Sequence, residues 1–179
     1  MADAFFSNSQ IETASLPAVE DIALEPVSVR YRVLNLCVCS CVTVAILLML
    51  GLLFYQPVIR LPQNISMLLP FAMILTGCLG GAYFVYHLAA DPRVRFALRE
   101  NDLVLEHGLF FRTLLCQPIL RIQHVELSRS LLQRWLGLAS LKVYSAGGAG
   151  HTFEIPGLEL NVAQQLRHFI VHHSALDAR

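Results

Sequence analysis

Two uncharged apolar runs, each about as long as a bilayer's hydrocarbon core is thick, constrain this chain more than any other feature. Residues 33–55 read VLNLCVCSCVTVAILLMLGLLFY and residues 66–87 read SMLLPFAMILTGCLGGAYFVYH. A helix needs roughly 20 consecutive apolar residues to cross that core, and both runs supply them without one Asp, Glu, Lys or Arg. A helix packed at the edge of a soluble core keeps a polar face; neither run has one. The pair predicts a transmembrane hairpin within residues 30–90. Pro70 is expected in the first turn of the second span, where a missing N–H costs little. Gly77, Gly80 and Gly81 form a small-residue patch of the kind that lets membrane helices approach closely. Only 15% of the chain is charged, well below the quarter or so usual for soluble domains.

The flanks of the runs give an orientation. Arg30, Tyr31 and Arg32 precede the first, Tyr55 closes it, and Tyr83, Tyr86 and His87 end the second, as aromatic and basic interfacial anchors do. Arg93, Arg95 and Arg99 follow, whereas the connecting loop, 56–65, carries only Arg60. The positive-inside rule then puts both termini in the cytoplasm and the loop outside. These five arginines, Arg30, Arg32, Arg93, Arg95 and Arg99, are the expected contacts with the membrane surface. The same residues would be required merely to set topology.

Residues 1–29 hold five acidic residues and no Lys or Arg. They read as a flexible acidic tail with a short helix near 16–24, and they lack the basic start of a signal peptide. Formal net charge is zero, against a nucleic-acid partner. The five cysteines make no disulfide framework. Cys37, Cys39 and Cys41 have the wrong spacing for a zinc knuckle; on a helix Cys37 and Cys41 share a face and Cys39 points away.

After Asp91-Pro92 the pattern changes to strand-length segments separated by turn residues, the signature of an antiparallel meander. Strands are expected at 94–99, 103–107, 109–116, 119–128, 138–145 and 151–155, with a glycine-rich hairpin tip at 146–150. A short helix fits 131–136, stopped by Gly137. A last helix, about 160–172, places Val162, Leu166, Phe169 and Ile170 on one face. Residues 91–179 thus predict an α+β domain of six or seven strands capped by a C-terminal helix.

Four strings occur in this half in a particular order: Gln117-Pro118-Ile119, running through Arg121-Ile122-Gln123-His124-Val125-Glu126; then Leu132-Gln133-Arg134-Trp135-Leu136-Gly137-Leu138-Ala139; then Ala146-Gly147-Gly148; then Pro156-Gly157-Leu158. With two spans before them, they resemble the bacterial pleckstrin-homology domain of the second type, in membrane proteins of the YdbS-like family. The resemblance covers about residues 30–173. It implies a pleckstrin-homology-like β-barrel or sandwich on a membrane hairpin in a bacterial inner membrane, without assigned catalysis. It also implies a protein partner, such as a larger membrane protein carrying several such domains.

The chemistry in reach is limited. Pleckstrin-homology lipid pockets gather Lys and Arg at the first strand turn, because phosphate needs several charge-assisted donors. Here that turn is Glu100-Asn101-Asp102, and Lys142 is the domain's one lysine. Arg121, Gln123, His124, Arg134 and Trp135, from the strings above, are the candidate partner-binding residues. The plainer account has alternate residues of the strand facing the core and Trp135 plugging one end of the barrel. No H-E-x-x-H or G-x-S-x-G occurs; His168 and His172, one helical turn apart, are the nearest approach to a metal pair. No catalytic residue, metal site or cofactor is assigned. The expectation is a non-enzymatic, membrane-anchored interaction module that docks a protein partner or forms a homo-oligomer. The rival is a lipid-handling or transport-accessory role, weakened because no charged residue interrupts either span. A metal-dependent enzyme is the third reading.

Overall fold

The computed structural model describes residues 23–56, 62–145 and 153–176. The tail helix expected near 16–24, most of the hairpin loop and the 146–150 tip lie outside them, save residues 23 and 24, which form no helix.

Two long helices, α1 (Val29–Tyr55) and α2 (Gln63–Ala90), run antiparallel. At 1.5 Å per residue each is about 40 Å long, some 10 Å more than a hydrocarbon core. In each helix only 6% of the most apolar 18-residue window is buried. Soluble core helices would be covered; these are transmembrane helices of a membrane protein, turning their side chains to lipid. The hydroxyls inside α1 are satisfied within the helix: Ser40 Oγ donates to the Leu36 carbonyl and Thr43 Oγ1 to that of Cys39, each at 2.8 Å, as hydrocarbon surroundings require. Pro70 is the eighth residue of α2 rather than part of its first turn, because helical structure begins at Gln63, upstream of the apolar run. It leaves the Ser66 carbonyl without its helical donor.

Of the three glycines in the α2 patch only Gly80 makes the close approach. A Cβ there would strike Thr43 of α1, whereas at Gly77 and Gly81 it would meet nothing. Successive helix positions turn by 100°, so the residue after Gly80 cannot share its face. Cys39 is buried against Gly80, its thiol 3.7 Å from the Gly80 carbonyl, while Cys37 and Cys41 are exposed.

The hairpin enters a domain of two antiparallel sheets. One has the order β1-β2-β3-β4, from β1 (Glu25–Pro26), β2 (Arg95–Leu98), β3 (Asp102–His107) and β4 (Thr113–Pro118). The other has the order β5-β6-β7, from β5 (Ile122–Ser128), β6 (Leu138–Ser145) and β7 (Phe153–Glu159). A 3-10 turn, Ile119–Arg121, separates β4 from β5, so the sheets do not close into a barrel. Proline at the end of β4 cannot donate to a ladder, which fits the break. Helix α4 (Leu160–Leu176) covers the open side with Ala163, Leu166 and Ile170 buried. Phe169 stays at the rim, partly exposed. The core between them includes Leu103, Leu105, Ile119, Leu141, Val143, Ile155 and Leu158. On β5 both Ile122 and Val125 face it although their spacing is odd, because an irregularity between Ile122 and His124 shifts the register.

Residues 25–29 belong to this structure rather than to a loose tail. Glu25 and Pro26 pair with Phe96 and Arg95, the Val27 N–H donates to the Val94 carbonyl at 3.2 Å, and Val27 is buried. The Ser28 N–H then donates to the Gly157 carbonyl at 3.0 Å, and α1 begins. Gly157 has φ +67°, and a Cβ on it would fall within the Tyr31 side chain. Only glycine both accepts that backbone angle cheaply and lets α1 lie so close to β7.

Two packing predictions follow from these contacts. Gly157→Ala should cost about 1–2 kcal/mol for the left-handed backbone and about 1–3 kcal/mol more for overpacking against Tyr31. In thermal unfolding in detergent, Gly157→Ala should cost less in a Tyr31→Ala background than in the parent, by about that second part, while the left-handed backbone cost remains. Gly80→Ala should lower stability by about 1–3 kcal/mol in the same assay, whereas Gly81→Ala stays within about 0.5 kcal/mol of the parent.

Candidate functional site

The hairpin joins the domain at one end, and the antiparallel strands divide the domain's chemistry between that proximal end and the distal one. β2 leaves the membrane side at Arg95 and reaches the turn at 99–102, about 13 Å further on at strand rise. β3 returns, since Arg95 is paired with Glu106, and the β3–β4 turn at 108–112 lies again on the membrane side. By the same alternation β5 starts distally and ends proximally at helix α3 (Leu131–Trp135), next to α1.

The proximal end is held by a buried polar cluster. Asp91, only 6% exposed, closes α2 and receives Asn35 Nδ2 of α1 on Oδ2 at 2.9 Å. His87 Nδ1 lies 2.9 Å from its other oxygen. The His87 ring also packs edge-on against Tyr83, with centroids 4.5 Å apart. The two helices therefore share one carboxylate, while the Asp91 main-chain carbonyl accepts the Val94 N–H at 3.2 Å just ahead of β2. A second tie crosses from Arg30, whose guanidinium is 3.5 Å from the Leu136 carbonyl just after α3. Arg32 turns its Nε out of solvent with no hydrogen-bond partner among the described residues.

Two grooves open at this level. The larger, about 520 Å3, lies between α1, the end of α2 and α3. Its walls run from Tyr31 and Asn35 past Val38 to Val42, with Ser130, Leu132 and Gln133 opposite. Val42 is nine residues into the apolar run, about 14 Å along the helix axis, so the groove runs from the junction well into the span. The other, about 270 Å3, brings Tyr86, His87 and Asp91 beside His107 and Gly108 of the β3–β4 turn.

The five arginines expected at the membrane surface do not act together. Arg30, Arg32, Arg93 and Arg95 are proximal. Arg99 sits at the distal turn, where its Nε is 3.6 Å from an Asp102 oxygen. That turn also holds Glu100, so the place where a pleckstrin-homology lipid pocket would be sought is acidic and faces away from the bilayer. Arg112, which the sequence patterns did not single out, joins Arg93 and Arg95 around a small pocket with Glu106.

The candidate partner residues also divide. Arg121, Gln123 and His124 are exposed at the distal start of β5. The His124 and Tyr144 rings lie 5.6 Å apart, and the Tyr144 hydroxyl donates to Glu126 at 2.9 Å, a bond that raises its pKa. Arg134 and Trp135 belong to α3, about 23 Å away along seven residues of strand. Trp135 does not plug the domain: it is 85% exposed. A capping box between Ser130 and Gln133 fixes the register of α3, and Gln133 turns inward to Ser140 at 3.3 Å. His168 and His172 stack at 4.5 Å on α4, and no group of three metal-binding side chains occurs among the described residues.

Comparison with known proteins agrees with this architecture. A family model described as bacterial PH domain matches residues 34–173, taking in most of the hairpin as well as the sheets. UPF0699 transmembrane protein YdbS of Bacillus subtilis (strain 168) is 28% identical over 101 residues, covering 52% of this chain and 62% of that protein. The match thus spans about three fifths of the relative's length. No solved structure matches the chain. With two transmembrane helices leading into two antiparallel sheets and a capping helix, the chain belongs to the bacterial PH domain family and is YdbS-like.

Proposed function

We propose that this chain is a non-catalytic, membrane-anchored interaction module, a subunit of a membrane protein complex whose PH-like domain lies on the cytoplasmic face of a bacterial inner membrane. One observation carries the reading: the domain is clamped to its anchor, not hung from it. The Ser28–Gly157 backbone bond, the packing of Tyr31 on Gly157 and the Arg30 contact with the Leu136 carbonyl all cross the junction, beside the Asn35–Asp91 bond that joins the two helices there. A module held this way presents one constant surface to the aqueous side, which a docking partner needs and a tethered loose domain does not provide. That surface includes Arg121, Gln123 and His124 at the distal start of β5, an edge strand with polar side chains exposed. The excess of arginines on the domain side over the single Arg60 in the loop supports cytoplasmic termini. The partner is a second membrane protein or another copy of this chain.

The groove of about 520 Å3 beside α1 favours a second reading, lipid handling, because its apolar wall continues into the span. Mild-detergent purification from native membranes, with mass spectrometry of co-eluting protein and lipid, separates the two. The docking reading expects a stoichiometric protein partner that is lost in Arg121→Glu/His124→Glu and retained in Arg134→Glu. A protein-free particle enriched in one lipid class would overturn it in favour of lipid handling.

A further inference from the structure

With Trp135, two phenylalanines standing side by side on a turn are the most exposed large hydrophobic side chains among the domain's described residues. Phe110 is 83% and Phe111 89% exposed, at the tip between β3 and β4. The turn is tight by construction: Gly108 has φ +114°, and a Cβ there would collide with the Phe111 carbonyl. No strand continues through these residues, since β4 begins only at Thr113. Soluble surfaces seldom leave two adjacent phenylalanines in water, and such a patch marks a contact.

What covers it follows from where it is. Gly108 lines the same groove as Tyr86, His87 and Ala90, the last turn of the second transmembrane helix. The tip therefore stands at the level where α2 leaves the bilayer. Immediately beside it Arg93, Arg95 and Arg112 surround a pocket of about 110 Å3 with Glu106, leaving a formal excess of two positive charges. Apolar phenylalanine rings that can bury at the headgroup–acyl boundary, flanked by guanidinium groups that fork onto phosphate, are the combination that interfacial membrane binding uses.

We propose that the Phe110–Phe111 tip inserts into the leaflet beside the hairpin while Arg93, Arg95 and Arg112 bind the phosphates of anionic phospholipids there. The turn is a third point of membrane attachment, independent of the two helices, and it sets which edge of the domain lies down on the bilayer. A second copy of the chain is a worse occupant, because three arginines on each side would face one another.

The test uses the full chain in nanodiscs. Trp135 is the protein's one tryptophan, so Phe111→Trp in a Trp135→Phe background puts the reporter at the tip. With phosphatidylcholine brominated on the acyl chains near the headgroup, fluorescence should fall at least twofold relative to unbrominated lipid. Adding phosphatidylglycerol should deepen the quenching, and Arg93→Gln/Arg95→Gln/Arg112→Gln should abolish that gain. Hydrogen exchange of residues 108–112 in the unsubstituted protein should likewise slow severalfold when phosphatidylglycerol is present. An unquenched reporter with unprotected turn amides would overturn the insertion. Quenching indifferent to phosphatidylglycerol would overturn the phosphate site. Protection that appears only with two or more copies per nanodisc would assign the tip to a neighbouring protein and overturn the proposal.

Discussion

One carboxylate organises this molecule. Asp91 stands where α2 ends and the first sheet begins, and it is almost fully enclosed. A buried charge is tolerated only when its lone pairs are met, and here Asn35 and His87 meet them from the two spans. Each hydrogen bond to a charged group stabilises by about 1.5–3 kcal/mol. The greater consequence is geometric. Because Asn35 belongs to α1 and Asp91 closes α2, the bond between them holds the two spans in one mutual arrangement where the domain begins. Tyr31 on Gly157 and Ser28 on the Gly157 carbonyl then fix the second sheet to the same helix. The orientation of the domain on the bilayer is thus set by a few contacts at the boundary itself.

From that orientation the division of surface chemistry follows by strand alternation. Every antiparallel turn in the first sheet lies at either the membrane end or the aqueous end. Arg99 and Asp102 fall at the aqueous end, where their ion pair is exposed and contributes little. Phe110, Phe111 and Arg112 fall at the membrane end, beside Arg93 and Arg95. The second sheet repeats the pattern, with Arg121 and His124 distal and α3 proximal. A partner protein and the leaflet would therefore engage opposite ends of a domain only a few strands long.

Much of this was legible in the sequence, and the failures have physical causes. The spans were plain because lipid demands uniform apolarity and no tertiary detail modifies that demand. The strands and α4 were plain because one face is buried and the pattern records it. β1 was hidden because Glu25 and Pro26 carry no strand signal; they are held by the sheet edge they meet and by Val27. Leu109, Phe110 and Phe111 give 109–112 the apolar pattern of a strand although β4 begins only at Thr113, since apolarity alone does not say what receives a side chain. The same holds for Trp135, which the pattern places at the barrel's end and the structure leaves exposed. Composition groups Gly77 and Gly81 with Gly80, but only a Cβ at Gly80 would meet α1; helical turn takes Gly81 off that face, and at Gly77, on nearly the same face, a Cβ would meet nothing.

The misplacements of Phe110, Phe111 and Trp135 share a lesson about domains fused to membrane anchors. A sequence pattern reports that a side chain avoids water, and for a soluble domain the interior is the one refuge. Here the domain has two. Leu138 and Ile119 take the interior, fully buried, and the large aromatic residues are left outside on the β3–β4 turn and on α3, at the end where the helices emerge. Their exposure costs nothing where the neighbouring medium is lipid, since burying apolar surface in a bilayer removes it from water as packing in a core does. The fold therefore need not enclose every apolar residue to be stable where a bilayer lies against the end that carries it.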